Sequence, residues 1–325
     1  MKRFHDSTSL LDNDEALRNR FHLNGYLFLK GIVDQDTLLS LRRQIVSILA
    51  KSKWLHKDAN PMDAIPGTAA YVEGEEQYLQ VYDEIQKLEA FHALPHQLPV
   101  LNIFQKLLGN TAFPHPLSIA RIVFPDNDEW STPLHQDYPN NQGTEDLYAC
   151  WIPLADCPQE HGSLSVLEGS HKFGVLPLEF ALGAGHRRAV LDTPLENLEW
   201  VGGDFELGDL IIFHSLTVHR SLHNSSDRIR LSVDYRFQRE QEPITEPCLQ
   251  PHFQRLSWEQ IYANWSSRDL AFYWRDKKYE LVDWDSSMHD ISQDEEIASI
   301  KETLRYDRKR KKLRASMQDS SQQDD

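Results

Sequence analysis

Long apolar runs are missing from this 325-residue chain. None approaches the roughly 20 residues that a membrane span needs. The opening residues Met1-Lys2-Arg3-Phe4-His5-Asp6 carry no apolar stretch of the secretory type. Asp6, Asp12, Asp14 and Glu15 set them apart from acid-poor organelle transit peptides. Cysteine is scarce: Cys150, Cys157 and Cys248 cannot all pair within one chain and are too few for a disulfide scaffold. These absences lead to the expectation of a cytoplasmic protein in a reducing setting. Positive charge is also in short supply, with 34 Lys+Arg against 50 Asp+Glu and a net charge of −16. Such a surface repels phosphate backbones and anionic lipid, so neither nucleic acid nor membrane is an expected partner. The local basic run Arg308–Lys312 reads as a solvated helix end. No internal repeat is evident.

What is present is ordinary globular material, 40% hydrophobic and 26% charged. That excludes collagen, a coiled-coil rod and wholesale disorder. Tyr26–Lys30 is a short β-prone run after Asn24-Gly25. Asp34 can cap a helix whose Leu38, Leu41, Ile45 and Ile48 recur at helical spacing. Residues 50–75 read as a loop. Further helices are expected from near Glu75 and from Pro99 to Leu108, the latter stopping at Gly109. From about residue 113 short strands follow one another, near 118–124, 133–137, 147–152, 163–167, 188–191, 209–214 and 229–237. Turn residues separate them without long helices, which suggests an antiparallel sandwich or barrel of jelly-roll type. Trp258, Trp265, Trp274 and Trp284 crowd into one window with Tyr262, Phe272, Tyr273 and Tyr279. That much apolar surface must pack onto the core or a second subunit. Ser292–Glu295 is a capping box opening a helix with Ile297, Ile300 and Leu304 on one face. The expected organisation is one catalytic domain: support at 1–112, a β core at 113–240, an aromatic-rich extension at 241–290, and a terminal helix with a disordered polar tail at 291–325.

Among fifteen histidines, most have no partner in sequence. His135-Gln136-Asp137 differs, because on a strand residues two apart point to one face and can grip one ion. A second histidine from a nearby strand would complete a 2-His-1-carboxylate triad, which leaves three open positions for a co-substrate and O₂ on Fe(II). Gly208–His214 is a turn feeding an apolar strand, and His219 follows it. Arg230 stands eleven residues beyond His219 and begins an alternating strand. Its guanidinium suits bidentate carboxylate binding, with Arg228 as the competitor.

Leu134–Asp137, Trp151–Asp156, Gly162–Lys172, Gly208–Leu210 and His219–Arg230, with Asn224 and Ser226, stand in an order that resembles the phytanoyl-CoA dioxygenase family of Fe(II)/2-oxoglutarate-dependent oxygenases. The resemblance spans roughly residues 20–240 and includes Gly25-Tyr26 and Leu98–Gly109. It implies a mainly β fold with flanking helices and a double-stranded β-helix core, jelly-roll or cupin-like. It implies His135, Asp137 and His219 as metal ligands and Arg230 on the distal carboxylate of 2-oxoglutarate, with Gln136, Trp151, His214 and Ser221 nearby. Glu168 stands where the family usually has proline. The implied reaction is O₂-dependent decarboxylation of 2-oxoglutarate to succinate and CO₂, coupled to hydroxylation of an aliphatic C–H and supported by ascorbate. Related halogenating sites lack the carboxylate ligand; Asp137 favours hydroxylation, with desaturation or cyclisation open to the same iron. The contrasting readings are a jelly-roll binding protein without turnover and a nucleic-acid-directed oxygenase using Arg308–Arg314.

If Arg230 points inward, Ser232, Asp234 and Arg236 do so too. Buried charges must be paired or must bind something. Asp234 and Arg236 either pair with core neighbours or, with Tyr138, Asn140 and Asn141, line a pocket for a polar small molecule. The protein is expected as a monomer or homodimer.

Overall fold

The computed structural model describes residues 1–321, with side chains through Met317. Two sheets form its centre. The larger contains β1 (Tyr26–Leu29), β2 (Ala112–Pro114), β3 (Ile119–Val123), β4 (Tyr148–Pro153), β7 (Leu210–His214) and β9 (Arg230–Arg239). Its order is β1-β7-β4-β9, and β2 and β3 both pair with the far edge of β9. The smaller sheet runs Lys2–Arg3, β6 (Trp200–Gly202), β5 (Leu164–Leu167), β8 (His219–Ser221).

Alternation along the strands decides what covers each face. Tyr26, Phe28, Ala149, Trp151, Ile211 and Phe213 of the larger sheet meet Leu164, Val166, Val201 and Phe205 from the other side. The opposite face carries Leu27, Leu29, Cys150, Ile152, Leu210, Ile212, Leu231, Val233, Tyr235 and Phe237. Helices cover it: α1 (Asp14–Asn24), α2 (Gln35–Lys51), α3 (Glu76–Gln86) and α4 (Leu98–Leu108). In α2 the Asp34 carboxylate accepts from Thr37 N at 2.8 Å, and Leu38, Leu41, Ile45 and Leu49 are buried. Each such side chain contributes roughly 1.5–3 kcal/mol on burial. α4 begins with Pro99 in its first turn and ends at Gly109, whose φ of +89° favours glycine. Its Phe104 lies flat on Phe237 of β9, centroids 3.6 Å apart.

The strand expected at 133–137 does not form. His135 makes a single bridge, its N–H donating to His219 O (2.9 Å) and its carbonyl accepting from His219 N (3.0 Å). Pro133 cannot donate to a ladder. On the other side, Pro139 sits in the first turn of a four-residue helix, Tyr138–Asn141, and Asp137 already has helical φ and ψ.

Beyond β9, Trp258, Ile261, Tyr262, Trp265 and Trp274 cluster with Ile244, Cys248 and Phe113 of β2. Trp265 Nε1 donates to Lys87 O (3.1 Å) and the Tyr273 hydroxyl to Pro114 O (2.7 Å). Trp284 stays outside this cluster and stacks on His289. The terminal helix α5 (Gln293–Ser321) starts at the expected capping box: Glu295 N donates to Ser292 Oγ and Ser292 N to Glu295 Oε2. Ile297, Ile300 and Leu304 share one face of this helix and that face is exposed, whereas Tyr306 and Arg310 are buried among the side chains described. One expectation about it is corrected. The basic run is not simply a solvated end, because Arg310 and Arg314 both pair with Glu75. The helix continues to Ser321, and the remainder of the expected tail, 322–325, lies outside the described residues. No helix among the described residues is long and apolar enough to cross a membrane.

Candidate metal centre

His135, Asp137 and His219 meet at the open edge between the sheets, with ligand atoms all within 4.8 Å of one another. His135 Nε2 lies 3.7 Å and His219 Nε2 3.8 Å from the same Asp137 oxygen, Oδ1. The backbone makes this convergence. The His135–His219 bridge sets the two imidazoles side by side, centroids 4.1 Å apart, and Asp137 N donates to Ser215 O (2.8 Å). Each Nδ1–H donates to a carbonyl, His135 to Pro133 O (2.8 Å) and His219 to Thr217 O (3.0 Å). A carbonyl can only accept, so both Nδ1 atoms carry the proton and both Nε2 lone pairs face the gap. That tautomer is the one a cation needs, and the carbonyls orient the rings.

Electrostatics agree with a cation site. Burial pushes His135 down to about 3 and lowers His219 as well, so both are neutral at pH 7. Burial alone would raise Asp137, yet Arg236, with His219 and His135, holds it at about 2. Arg236 Nε stands 2.9 Å from Asp137 Oδ2. One carboxylate oxygen therefore meets the arginine, and the other faces the imidazoles.

Next to the triad a slot of about 20 Å³ runs inward, lined by Thr132, His135, Trp151, His219, Ser221 and Arg230 among others. Arg230 is 6% exposed; it donates to Ser221 Oγ at 2.8 Å and to Ser232 Oγ, with its guanidinium 5.6 Å from the Trp151 ring. Among the described residues its Nε has no hydrogen-bond partner. Arg228, the competitor, is on the surface with Asp63 and Asp227. On the other side of the triad opens a cavity of about 380 Å³, whose lining includes His135, Asp137, Asn140, Asn141 and Arg236.

Several expected residues stand elsewhere. His214 follows the inward Phe213 on β7, so the period of two turns it to the helical face. There it meets Phe21 and Tyr148 and lies 3.6 Å from Asp146. Gln136 touches the outer cavity but spends its amide on backbone, donating to Gly174 O and Leu216 O and accepting from Leu176 N, each at 2.8 Å. Its role is to tie loops together. Asp234 points inward but pairs with Arg121 (2.9 Å) and lines the inner slot rather than the outer cavity. Tyr138 lines neither space.

Sequence reasoning missed Arg121, Trp130, His186, Arg187 and His252 of the outer cavity. Arg121 had a readable signal, because β3 alternates and Arg121 pairs across the sheet with Ser232. Arg187 opens a three-residue strand, too short to show which face is inward, and Trp130, His186 and His252 sit on loops or single turns with no periodicity to read.

A family model described as Phytanoyl-CoA dioxygenase (PhyH) matches residues 21–232. The chain belongs to the phytanoyl-CoA dioxygenase family of Fe(II)/2-oxoglutarate-dependent oxygenases. It is 30% identical over 249 residues to the 1-deoxypentalenic acid 11-beta-hydroxylase of Streptomyces arenae, covering 72% of this chain and 84% of that one. It is 25% identical over 237 residues to human peroxisomal phytanoyl-CoA dioxygenase, covering 68% and 67%. Among solved structures the fold is like that of the alpha ketoglutarate dependent carbocyclase SnoK from nogalamycin biosynthesis. There the TM-score is 0.51 at 20% identity, over 78% of this chain and 94% of that one. The epimerase SnoN, solved with Fe3+, alpha ketoglutarate and nogalamycin RO, gives 0.52 at 18% identity, over 71% and 85%. The family match ends at Ser232, so Arg236 and everything after it lie beyond the matched segment.

Proposed function

We propose that this chain is a dioxygenase that hydroxylates an aliphatic C–H of a polar small molecule, consuming O₂ and 2-oxoglutarate and releasing succinate and CO₂. The observation that carries this reading is the convergence of two Nε2 lone pairs and a carboxylate oxygen beside a slot that ends on a buried arginine, which makes no ion pair among the described residues. The two facing sheets are read as a double-stranded β-helix, with residues 113–240 as the catalytic core and 1–112 as its support. The extension 241–290 and the terminal segment 291–325 complete a single catalytic domain.

His135, Asp137 and His219 would hold Fe(II), and the iron with 2-oxoglutarate and O₂ supplies the oxidising power for the C–H bond. The residues of the chain do the rest. Arg236 compensates the Asp137 charge from behind, which keeps the carboxylate ionised in a buried place. Arg230 would receive the distal carboxylate of 2-oxoglutarate, steadied by Ser221 and Ser232 and backed by Trp151. Phe213 and Leu164 line the same slot and exclude water. The outer cavity would take the substrate. Of its three arginines, Arg121 pairs with Glu73 and Asp234, and Arg236 with Asp137. Among the described residues Arg187 bonds only backbone carbonyls, of His186 and His289. A substrate bearing an acidic or strongly accepting group suits that cation.

The test is succinate formation from 2-oxoglutarate with Fe(II), O₂ and ascorbate, across a panel containing 1-deoxypentalenic acid and its methyl ester. Succinate that requires iron and a panel compound supports the reading. Product mass then separates oxygen insertion from desaturation or ring closure. No succinate above the metal-free control, across an iron-loaded protein and the whole panel, counts against it.

A further inference from the structure

The segment beyond the family match returns to the mouth of the outer cavity, although no described residue after Phe253 lines it. Among the described residues it meets the rim at several places. Gln142 and Asp285 exchange two hydrogen bonds of 2.8 Å. His289 bonds Asn140 Oδ1 through Nε2, and its carbonyl accepts from Arg187. Tyr306 of α5, 2% exposed, stacks on Trp130 with centroids 5.0 Å apart and donates its hydroxyl to Asn127. Arg310, 4% exposed, and Arg314 both pair with Glu75.

These contacts matter because of what stands on their inner side. Trp130 lines the cavity and meets His186, another lining residue, edge-to-face at 5.1 Å. Glu73, two residues before Glu75, lines the cavity and pairs with Arg121 at 3.0 Å. The rim around Glu73 and Trp130 has no strand ladder, and His186 sits in the turn of a hairpin of two three-residue strands, Leu178–Phe180 and Arg187–Ala189; such segments are ordinarily the first parts of a fold to open. Here each is pinned from outside. A buried guanidinium such as Arg310 is costly unless paired, so the acidic rim and the basic helix hold each other.

We propose that residues 285–314 act as a strap that fixes the shape of the substrate cavity, with Tyr306 as the positioning residue for Trp130. This rests on the reading of that cavity as the substrate site. Tyr306 touches neither the metal centre nor the slot; it acts through Trp130 and, beyond it, His186.

The experiment is amide hydrogen exchange on the full chain, comparing wild type with Tyr306→Ala and Tyr306→Phe. Melting temperature is followed alongside, with iron and 2-oxoglutarate binding by equilibrium dialysis. In Tyr306→Ala, exchange over 126–131 and 184–188 should quicken on the order of tenfold. Exchange over 230–236, iron content and 2-oxoglutarate binding should match wild type. Tyr306→Phe keeps the ring and should restore protection at 184–188. Unchanged exchange at both rim segments would overturn the proposal. So would loss of protection spread evenly along the chain with a fall in melting temperature, which is the mark of general stabilisation only. Wild-type protein that binds neither iron nor 2-oxoglutarate would defeat the functional reading instead, and the exchange comparison would still report on the strap.

Discussion

At the scale of single residues the site is a division of labour between atoms of the same side chain. His219 offers Nε2 to the gap and anchors Nδ1 on Thr217 O. His219→Ala should therefore lose both bound iron and succinate formation, measured by metal content and turnover. His214→Ala should keep its iron, since His214 faces the helices. Arg230→Ala removes a buried charge that would pair with a carboxylate, a loss of about 2–5 kcal/mol. The 2-oxoglutarate requirement should rise well over tenfold, and Arg228→Ala, on the surface, should change it little. Arg236→Met leaves the Asp137 carboxylate without its partner. The metal-free protein should lose about 3–5 kcal/mol in urea unfolding, and bound Fe(II) should recover much of it, because a cation can replace the arginine. The triad was legible in sequence because His135, Asp137 and His219 come in a recurrent order of short motifs. Trp130 was not, since its place depends on a loop whose ends are fixed by distant elements, and Arg187 was not, since it opens a strand of only three residues.

At the scale of elements, β9 was the most readable part of the chain. Its alternation put Arg230, Ser232, Asp234 and Arg236 on one face and Leu231, Val233, Tyr235 and Phe237 on the other, and the two faces meet different cores. Residues 133–137 defeated the same logic, because prolines at 133 and 139 break the ladder while leaving one bridge. The extension after β9 brings a pH dependence. His92 sits edge-on to Trp258, and His115 bonds Gln238 Oε1 at 2.7 Å. Burial pushes both down to about 4. In the unfolded chain they titrate near 6.5, so between 6.5 and 4 the unfolded state binds protons that the native state refuses. Their contribution is complete above pH 6.5 and is lost as pH falls toward 4, by up to about 3 kcal/mol for each. Urea midpoints followed by tryptophan fluorescence should fall over that window, and His115→Gln should flatten the slope by one proton.

On the scale of the whole molecule, the aromatic cluster is shared property. Phe113 of β2 belongs to it, and Trp265 is tied to Lys87. Ending the chain after Glu240 would strip that cover from β2 and from the α3 end, and the product should be insoluble or melt well below the full chain. The sequence announced this only as surface in need of a partner; which partner depends on the path of the chain after β9, and nothing local encodes that path.

The two arginines of β9 have one more consequence. Arg230 lines the slot and Arg236 pairs with the Asp137 carboxylate from a single uninterrupted strand, about 20 Å apart along it. Substitution can tune either without the other. A one-residue insertion between them cannot, because it reverses the side of everything downstream and leaves one arginine in the site and the other among the helices. Descendants of this gene should therefore keep the spacing between those two positions fixed.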